Sequence, residues 1–288
     1  MPAVISLSFD PVLVLSETAS VRVETIALAV VLFGGLALAM RIGSVTPGVG
    51  PYVPPPGLAP SDLVLMVLAG VPGAIVGGRL GYVLAHLDFY RANPDAILDL
   101  SQGALTLTLA VPLGLLTGGL IGRVIGAPVG RWMHAAALPL LFVLGAGKLV
   151  GVLGATGQGL PSDLPWATAY EGPGPWGSLA PELPSHPAQV YEAIAVGAAT
   201  VIVALASRLE LVARRDGAAL LLALGLWAVA RFAIAFTWRD PAVAGPVRME
   251  QLLAIGITVI AVVGLAQRAR AAPRSAARPP RGLDAASV

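Results

Sequence analysis

The chain has 288 residues, of which 56% are hydrophobic and only 12% charged, with a net charge of +2 and a mean hydropathy of +0.81. A water-facing domain carries roughly twice that share of charge, so a soluble globular fold is excluded, and no basic patch marks a nucleic-acid partner. The absence of cysteine rules out a disulfide framework, a thiolate nucleophile and cysteine metal ligation, and three scattered histidines give no reason to expect a metal or other cofactor.

The first 24 residues have no basic n-region of the kind that opens a signal peptide, and residues 11–15 are apolar but too short to span, which predicts an interfacial segment. A hydrocarbon core about 30 Å thick needs about 20 mostly apolar residues per helix. That ruler selects seven spans, at residues 25–40, 63–84, 103–122, 135–155, 193–207, 217–236 and 249–266. The predicted fold is therefore an all-α integral membrane protein, a bundle of about seven transmembrane helices forming one membrane domain over residues 1–271. Residues 156–192 form one long loop without Lys or Arg and rich in Gly, Pro and Trp, a length that predicts function or disorder. Trp166, Tyr170 and Trp176 suit a segment resting at the membrane interface. Residues 272–288 are Ala-, Pro- and Arg-rich with little to bury, and are predicted to be a disordered basic tail.

An odd number of spans puts the termini on opposite sides, and the basic residues choose which. Arg41, Arg123, Arg131, Arg208, Arg214, Arg215, Arg268, Arg270, Arg274, Arg278 and Arg281 fall on one side, against Arg22, Arg91, Arg239 and Arg248 on the other. Cytoplasmic segments collect Lys and Arg, so the C-terminus is predicted inside, the N-terminus outside and the long loop extracytoplasmic.

Three spans carry glycine on one face: Gly73, Gly77 and Gly81 in the second, Gly114, Gly118 and Gly122 in the third, Gly147, Gly151 and Gly154 in the fourth. Such faces let backbones approach closely in lipid, and Pro72, Pro112 and Pro139 add potential kinks. The three remaining cations, Arg79, Lys148 and Arg231, lie inside spans, where each costs about 2.5–3.5 kcal/mol at mid-membrane unless it meets a polar partner. No carboxylate falls in the interior of the spans so drawn, so the expected counter-charge is an anion such as a phospholipid phosphate, with Glu192 at the loop's end as the other candidate.

The residues then resemble a known family. His186-Pro187-Ala188-Gln189-Val190-Tyr191-Glu192 is similar to the His-Pro-Ser-Gln-Leu-Tyr-Glu of the prolipoprotein diacylglyceryl transferases. Gly78-Arg79-Leu80-Gly81-Tyr82-Val83-Leu84, Asn93-Pro94, Gln102-Gly103, Pro165-Trp166, Arg231-Phe232 and Gln251 match further family positions in order. The resemblance implies a bacterial inner-membrane enzyme that moves diacylglyceryl from phosphatidylglycerol to the cysteine thiol of a prelipoprotein signal peptide. It also implies that Arg79, Lys148, Arg231, Gln189 and Tyr191 hold the phospholipid.

The departures concern the chemistry. The family's third-span histidine, in a Phe-His-Gly-Gly stretch, aligns with Leu107-Thr108-Leu109-Ala110. In the signature Gly-Arg-x-Gly-Asn-Phe-x-Asn-x-Glu, Lys148 replaces the Arg, Gly151 the first Asn and Thr156 the Glu. The first-span tyrosine is absent near Glu24 and Thr25. Transfer needs a deprotonated thiol, a stabilised phosphate leaving group and a lipid held in line. Lys148 keeps the charge but loses the bidentate fork, and Thr108 cannot act as a base near neutral pH. His186 and Glu192 are the candidate catalytic residues if the loop folds over the bundle, although His186 before Pro187 also suits an ordinary hydrogen-bonded turn. Alternatives are a homologue that keeps the fold and a phospholipid site without the chemistry, acting as a binding or scaffold protein, and an anion transporter. The last lacks the inverted repeats and paired broken helices typical of such proteins.

Overall fold

The computed structural model describes residues 4–47, 57–99, 101–213 and 215–270; the basic tail and Arg214 lie outside these. Seven helices carry the long apolar runs: α1 Val23–Val45, α2 Pro60–Ala85, α3 Leu107–Val124, α4 Ala137–Val150, α5 Ala188–Ala206, α6 Ala218–Ile234 and α7 Met249–Arg270. With short 3-10 extensions at Gly151–Gly154 and Ala235–Thr237, all seven are long and apolar enough to cross a membrane. Helices are the natural answer to hydrocarbon, since each pairs its own backbone groups.

Glycine sets the spacing of α2 and α3. A Cβ on Gly73 would lie 2.2 Å from Thr117 Oγ1, one on Gly77 2.4 Å from the Leu109 carbonyl oxygen, and one on Gly118 2.5 Å from that of Met66. The two small-residue faces are therefore in backbone contact. In α4 and its 3-10 extension the glycines act differently: Gly147 faces open space apart from Leu28, whereas a Cβ on Gly154 would strike the Glu24 carboxylate at 2.1 Å. Pro72 and Pro112 sit inside α2 and α3.

The main core forms where α4, α5, α6 and α7 meet, around Leu141, Leu144, Val196, Val203, Ala223, Trp227, Ala254 and Ile257. A second cluster joins α1 to α2 through Ala39, Leu63 and Trp132, the last on a short helix Val129–Ala135. Phe33, Val76, Leu116, Ile194 and Ile260 point outward, as lipid-facing side chains must.

One end of the bundle is covered by short strands that the apolar runs did not predict. The strand β1, Ile5–Ser8, pairs in parallel with β4, Thr168–Glu171, from the segment between α4 and α5. The hairpin of β2, Val12–Ser16, and β3, Ala19–Arg22, occupies the stretch expected to lie at the interface, and exposes Leu13, Val14 and Leu15. A third pair, β5 Ala242–Ala244 with β6 Val247–Arg248, leads into α7.

Helix α5 begins five residues before the predicted span. Pro187 precedes it with a fixed φ, and Ala188 to Glu192 turn helical with Gln189 and Glu192 on the buried face. The expectation of no carboxylate in the interior of the spans is corrected: Glu192 lies inside α5, which starts before the predicted span, and Glu250, second in the seventh span as drawn, is buried in α7.

Candidate functional site

Helices α3, α4, α5, α6 and α7 each send one polar side chain to a common point near the strand-covered end. Lys148 Nζ lies 2.9 Å from Glu192 Oε2, and Arg231 Nη1 donates to both oxygens of Glu192 at 3.3 and 3.2 Å. Arg231 Nη2 donates to Glu250 Oε2 at 3.1 Å, and Nε donates to Thr108 Oγ1 at 3.0 Å. The Thr108 hydroxyl in turn donates to Glu250 Oε2. The guanidinium also lies 4.6 Å from the Trp238 ring centre and 5.3 Å from that of Trp227, while Lys148 Nζ is 5.8 Å from Trp238.

Burial within this network is uneven. The side chains of Glu192, Glu250 and Arg231 are 2%, 4% and 5% exposed, whereas Lys148 keeps 23% of its surface open. Two cations face two carboxylates, so the formal charge of the cluster is zero, as a buried ionic group in a bundle requires. The counter-charge expected from a phosphate is supplied by the protein itself.

Of the three predicted cations, Lys148 and Arg231 converge and Arg79 does not. Arg79 is buried elsewhere and donates to the carbonyl oxygens of Ile97 at 2.7 Å, Gln102 at 2.6 Å, Asp99 at 2.8 Å and Ala96. Its guanidinium, lying 5.2 Å from the Tyr90 ring centre, ties the connection between α2 and α3 into shape. In that connection Asp99 is half-buried, and hydrogen bonds from the Ser101 hydroxyl and amide and from Gln102 hold its carboxyl below the usual range.

His186, Gln189 and Tyr191 sit at the start of α5 and bond partners outside the network. His186 Nδ1 lies 3.3 Å from the Tyr191 hydroxyl, which accepts from Trp166 Nε1 at 2.7 Å. The His186 backbone meanwhile bonds Gly159 and Leu160, the arrangement of an ordered turn. Gln189 Nε2 donates to the Tyr170 hydroxyl at 3.0 Å; burial pushes that phenol up to about 12, against the lowering effect of the Gln189 bond. Among the seven predicted site residues, Glu192, Lys148 and Arg231 therefore form one unit, His186 and Tyr191 a second, and Gln189 and Arg79 bind other partners.

The sequence reading missed Glu250, Trp238 and Arg239. An acidic residue in a helix's first turn, as Glu250 is, ordinarily answers the helix dipole, and no spacing rule aims it inward. Arg239 pins the segment between α4 and α5: Nε donates to the Gly159 carbonyl at 2.6 Å, Nη1 to Ser178 Oγ at 3.0 Å, and Nη2 to Ser185 Oγ at 2.9 Å and Gln158 Oε1 at 3.3 Å. Burial lowers its basicity, and Glu182 partly restores it.

A seven-span helical bundle with an ionic cluster under one strand-covered end defines a multi-pass membrane protein with an intramembrane polar site. Residues 14–267 match the family described as prolipoprotein diacylglyceryl transferase, and the chain belongs to that family. It is similar to the phosphatidylglycerol–prolipoprotein diacylglyceryl transferase of Beijerinckia indica, with 31% identity over 248 residues, covering 81% of this chain and 82% of that one. The enzyme of the same name from Geobacter sulfurreducens is 28% identical over 222 residues, 72% of this chain and 80% of the relative. That of Pseudomonas paraeruginosa is 34% identical over 144 residues, so there the chain spans about half the length of its relative. Family and spans together make this a multi-pass inner-membrane protein.

Proposed function

We propose that the chain transfers diacylglyceryl from phosphatidylglycerol to the thiol of a lipobox cysteine in a prelipoprotein signal peptide. The site works at the extracytoplasmic end of the bundle, with the N-terminus outside and the C-terminus in the cytoplasm. The observation that carries this reading is the convergence of Lys148 and Arg231 on Glu192 at the strand-covered end of the bundle.

In this reaction a sulfur–carbon bond forms on the glyceryl carbon as the carbon–oxygen bond to phosphate breaks. The departing phosphate gathers negative charge, and cations already fixed by protein contacts stabilise it without reorganising. Lys148, the open member of the network, meets the phosphate first, and Arg231 receives charge as the bond breaks. The thiol proton goes to Glu192, inside the network, or to His186 beside Tyr191. Arg239 and Gln158 hold the covering segment, which with Trp166 forms the surface offered to the signal peptide.

Thr108, locked between Arg231 and Glu250 at the position that the family resemblance aligns with a histidine, favours a second reading: a phospholipid-binding or scaffold protein without the chemistry. Incubating the purified chain with phosphatidylglycerol and a lipobox peptide separates the two. Thioether-linked diacylglyceryl peptide supports the transferase. Phospholipid binding without product, under conditions where a relative with the full signature gives product, overturns it.

A further inference from the structure

We propose that Glu250 sets the headgroup selectivity of this site, by cancelling the charge that would otherwise favour an anionic phospholipid over a zwitterionic one. The inference rests on the reading above, that Lys148 and Arg231 meet a phospholipid phosphate.

The geometry assigns the two carboxylates different duties. Glu192 is held by two cations, Lys148 at 2.9 Å and Arg231 at 3.2 Å, and sits within α5. Glu250 is held by one cation, Arg231 at 3.1 Å, and by the Thr108 hydroxyl, and occupies the second position of α7. Glu192 thus bridges the cations and makes them one site, while Glu250 only neutralises. All three guanidinium nitrogens of Arg231 already have acceptors in Thr108, Glu192 and Glu250. A phosphate that reaches Arg231 meets it beside Glu250, the carboxylate with a single cationic partner.

Charge arithmetic then decides selectivity. With Glu250 ionised, two cations and two carboxylates make a neutral cluster, and an anionic headgroup leaves a net negative charge in a low-dielectric bundle. A zwitterionic headgroup leaves it neutral. With a neutral residue at position 250 the cluster carries one positive charge, and the anionic headgroup becomes the one that neutralises it. Gln suits the test, because its amide oxygen can still accept from Thr108 or Arg231.

The full-length chain in a neutral detergent is titrated with dioctanoyl phosphatidylglycerol and dioctanoyl phosphatidylcholine, and Kd is measured calorimetrically. The unmodified protein should prefer the anionic lipid by less than about threefold, and Glu250→Gln should tighten phosphatidylglycerol binding about tenfold with phosphatidylcholine unchanged. Glu250→Asp, which keeps the charge while shortening the reach, should show no such gain. A strong preference for phosphatidylglycerol in the unmodified protein overturns the proposal without requiring any variant to fold. So does an equal gain in Glu250→Asp, which would mean loosening rather than charge is responsible. So, too, does an unchanged Kd in Glu250→Gln. If binding behaves as proposed but no lipidated peptide forms, the transferase reading fails and the selectivity role of Glu250 stands.

Discussion

Arg231 Nε donates a 3.0 Å hydrogen bond to Thr108 Oγ1, at a point where both side chains are almost completely buried. The residue in the family's histidine-bearing stretch therefore has a fixed task, which is to complete the coordination of the guanidinium and to bridge it to Glu250. Its small hydroxyl fits a space that a larger ring would have to open.

Thr108→Val keeps the shape and removes that hydroxyl. Arg231 Nε is then left without an acceptor in a buried place, which costs about 1–3 kcal/mol. Thermal unfolding in detergent should show a lower Tm. An unchanged Tm would mean that the network does not depend on this bond.

Restoring the family signature should raise transfer only as a set. Thr108→His alone overfills its site, at about 1–3 kcal/mol for the excess volume. Gly151→Asn alone puts a Cβ 2.8 Å from the Thr156 carbonyl oxygen. The four-fold change of Thr108→His, Lys148→Arg, Gly151→Asn and Thr156→Glu should give more product per minute than any single change, because such groups act as a unit. A placed base contributes about 10²–10⁴-fold, which is the range of gain to look for in initial rates.

Arg79 and Arg239 are structural clasps, and lysine cannot replace the planar fork of either. Arg79→Lys should speed amide hydrogen exchange across residues 93–102, and Arg239→Lys across residues 158–185. Exchange that stays as slow as in the unmodified chain would mean that these segments hold themselves.

The side of the membrane is open to a direct test in a chain without cysteine. Leu179, fully exposed on the segment between α4 and α5, is the better probe position; Ser178 already accepts from Arg239. Leu179→Cys should react with a membrane-impermeant maleimide in intact spheroplasts. Labelling only after lysis would invert the topology.

Much of the bundle was legible in the sequence, because hydrocarbon demands long apolar helices and the seven runs stand out. The glycine faces of α2 and α3 were legible as packing faces, although not their partners. What composition hid was polar residues serving a helix interior. Gln189 and Glu192 read as loop because they are hydrophilic, yet they form the buried face of the first turns of α5. Glu250 stands where an acidic residue ordinarily answers the helix dipole, so nothing marked it out. Arg79 looked like Arg231, each a lone cation in a span, and only the fold shows that one faces backbone carbonyls and the other two carboxylates. The strands at one end were invisible for a simpler reason: two to five residues give too short a pattern to separate from a loop.

The role of Arg231 tests the account most directly. Breaking its buried contacts with Arg231→Gln removes a charge that two carboxylates share, at about 3–5 kcal/mol, so folding must be checked alongside activity, and Arg231→Lys serves as the charge-preserving partner. The measurement is the mass-spectrometric yield of diacylglyceryl thioether on a lipobox peptide, in phosphatidylglycerol proteoliposomes, from chains shown to be folded. The account predicts slow but definite product from the unmodified protein, at least about tenfold less from Arg231→Lys, where the fork is lost, and none from Arg231→Gln. Equal yields from all three would contradict it.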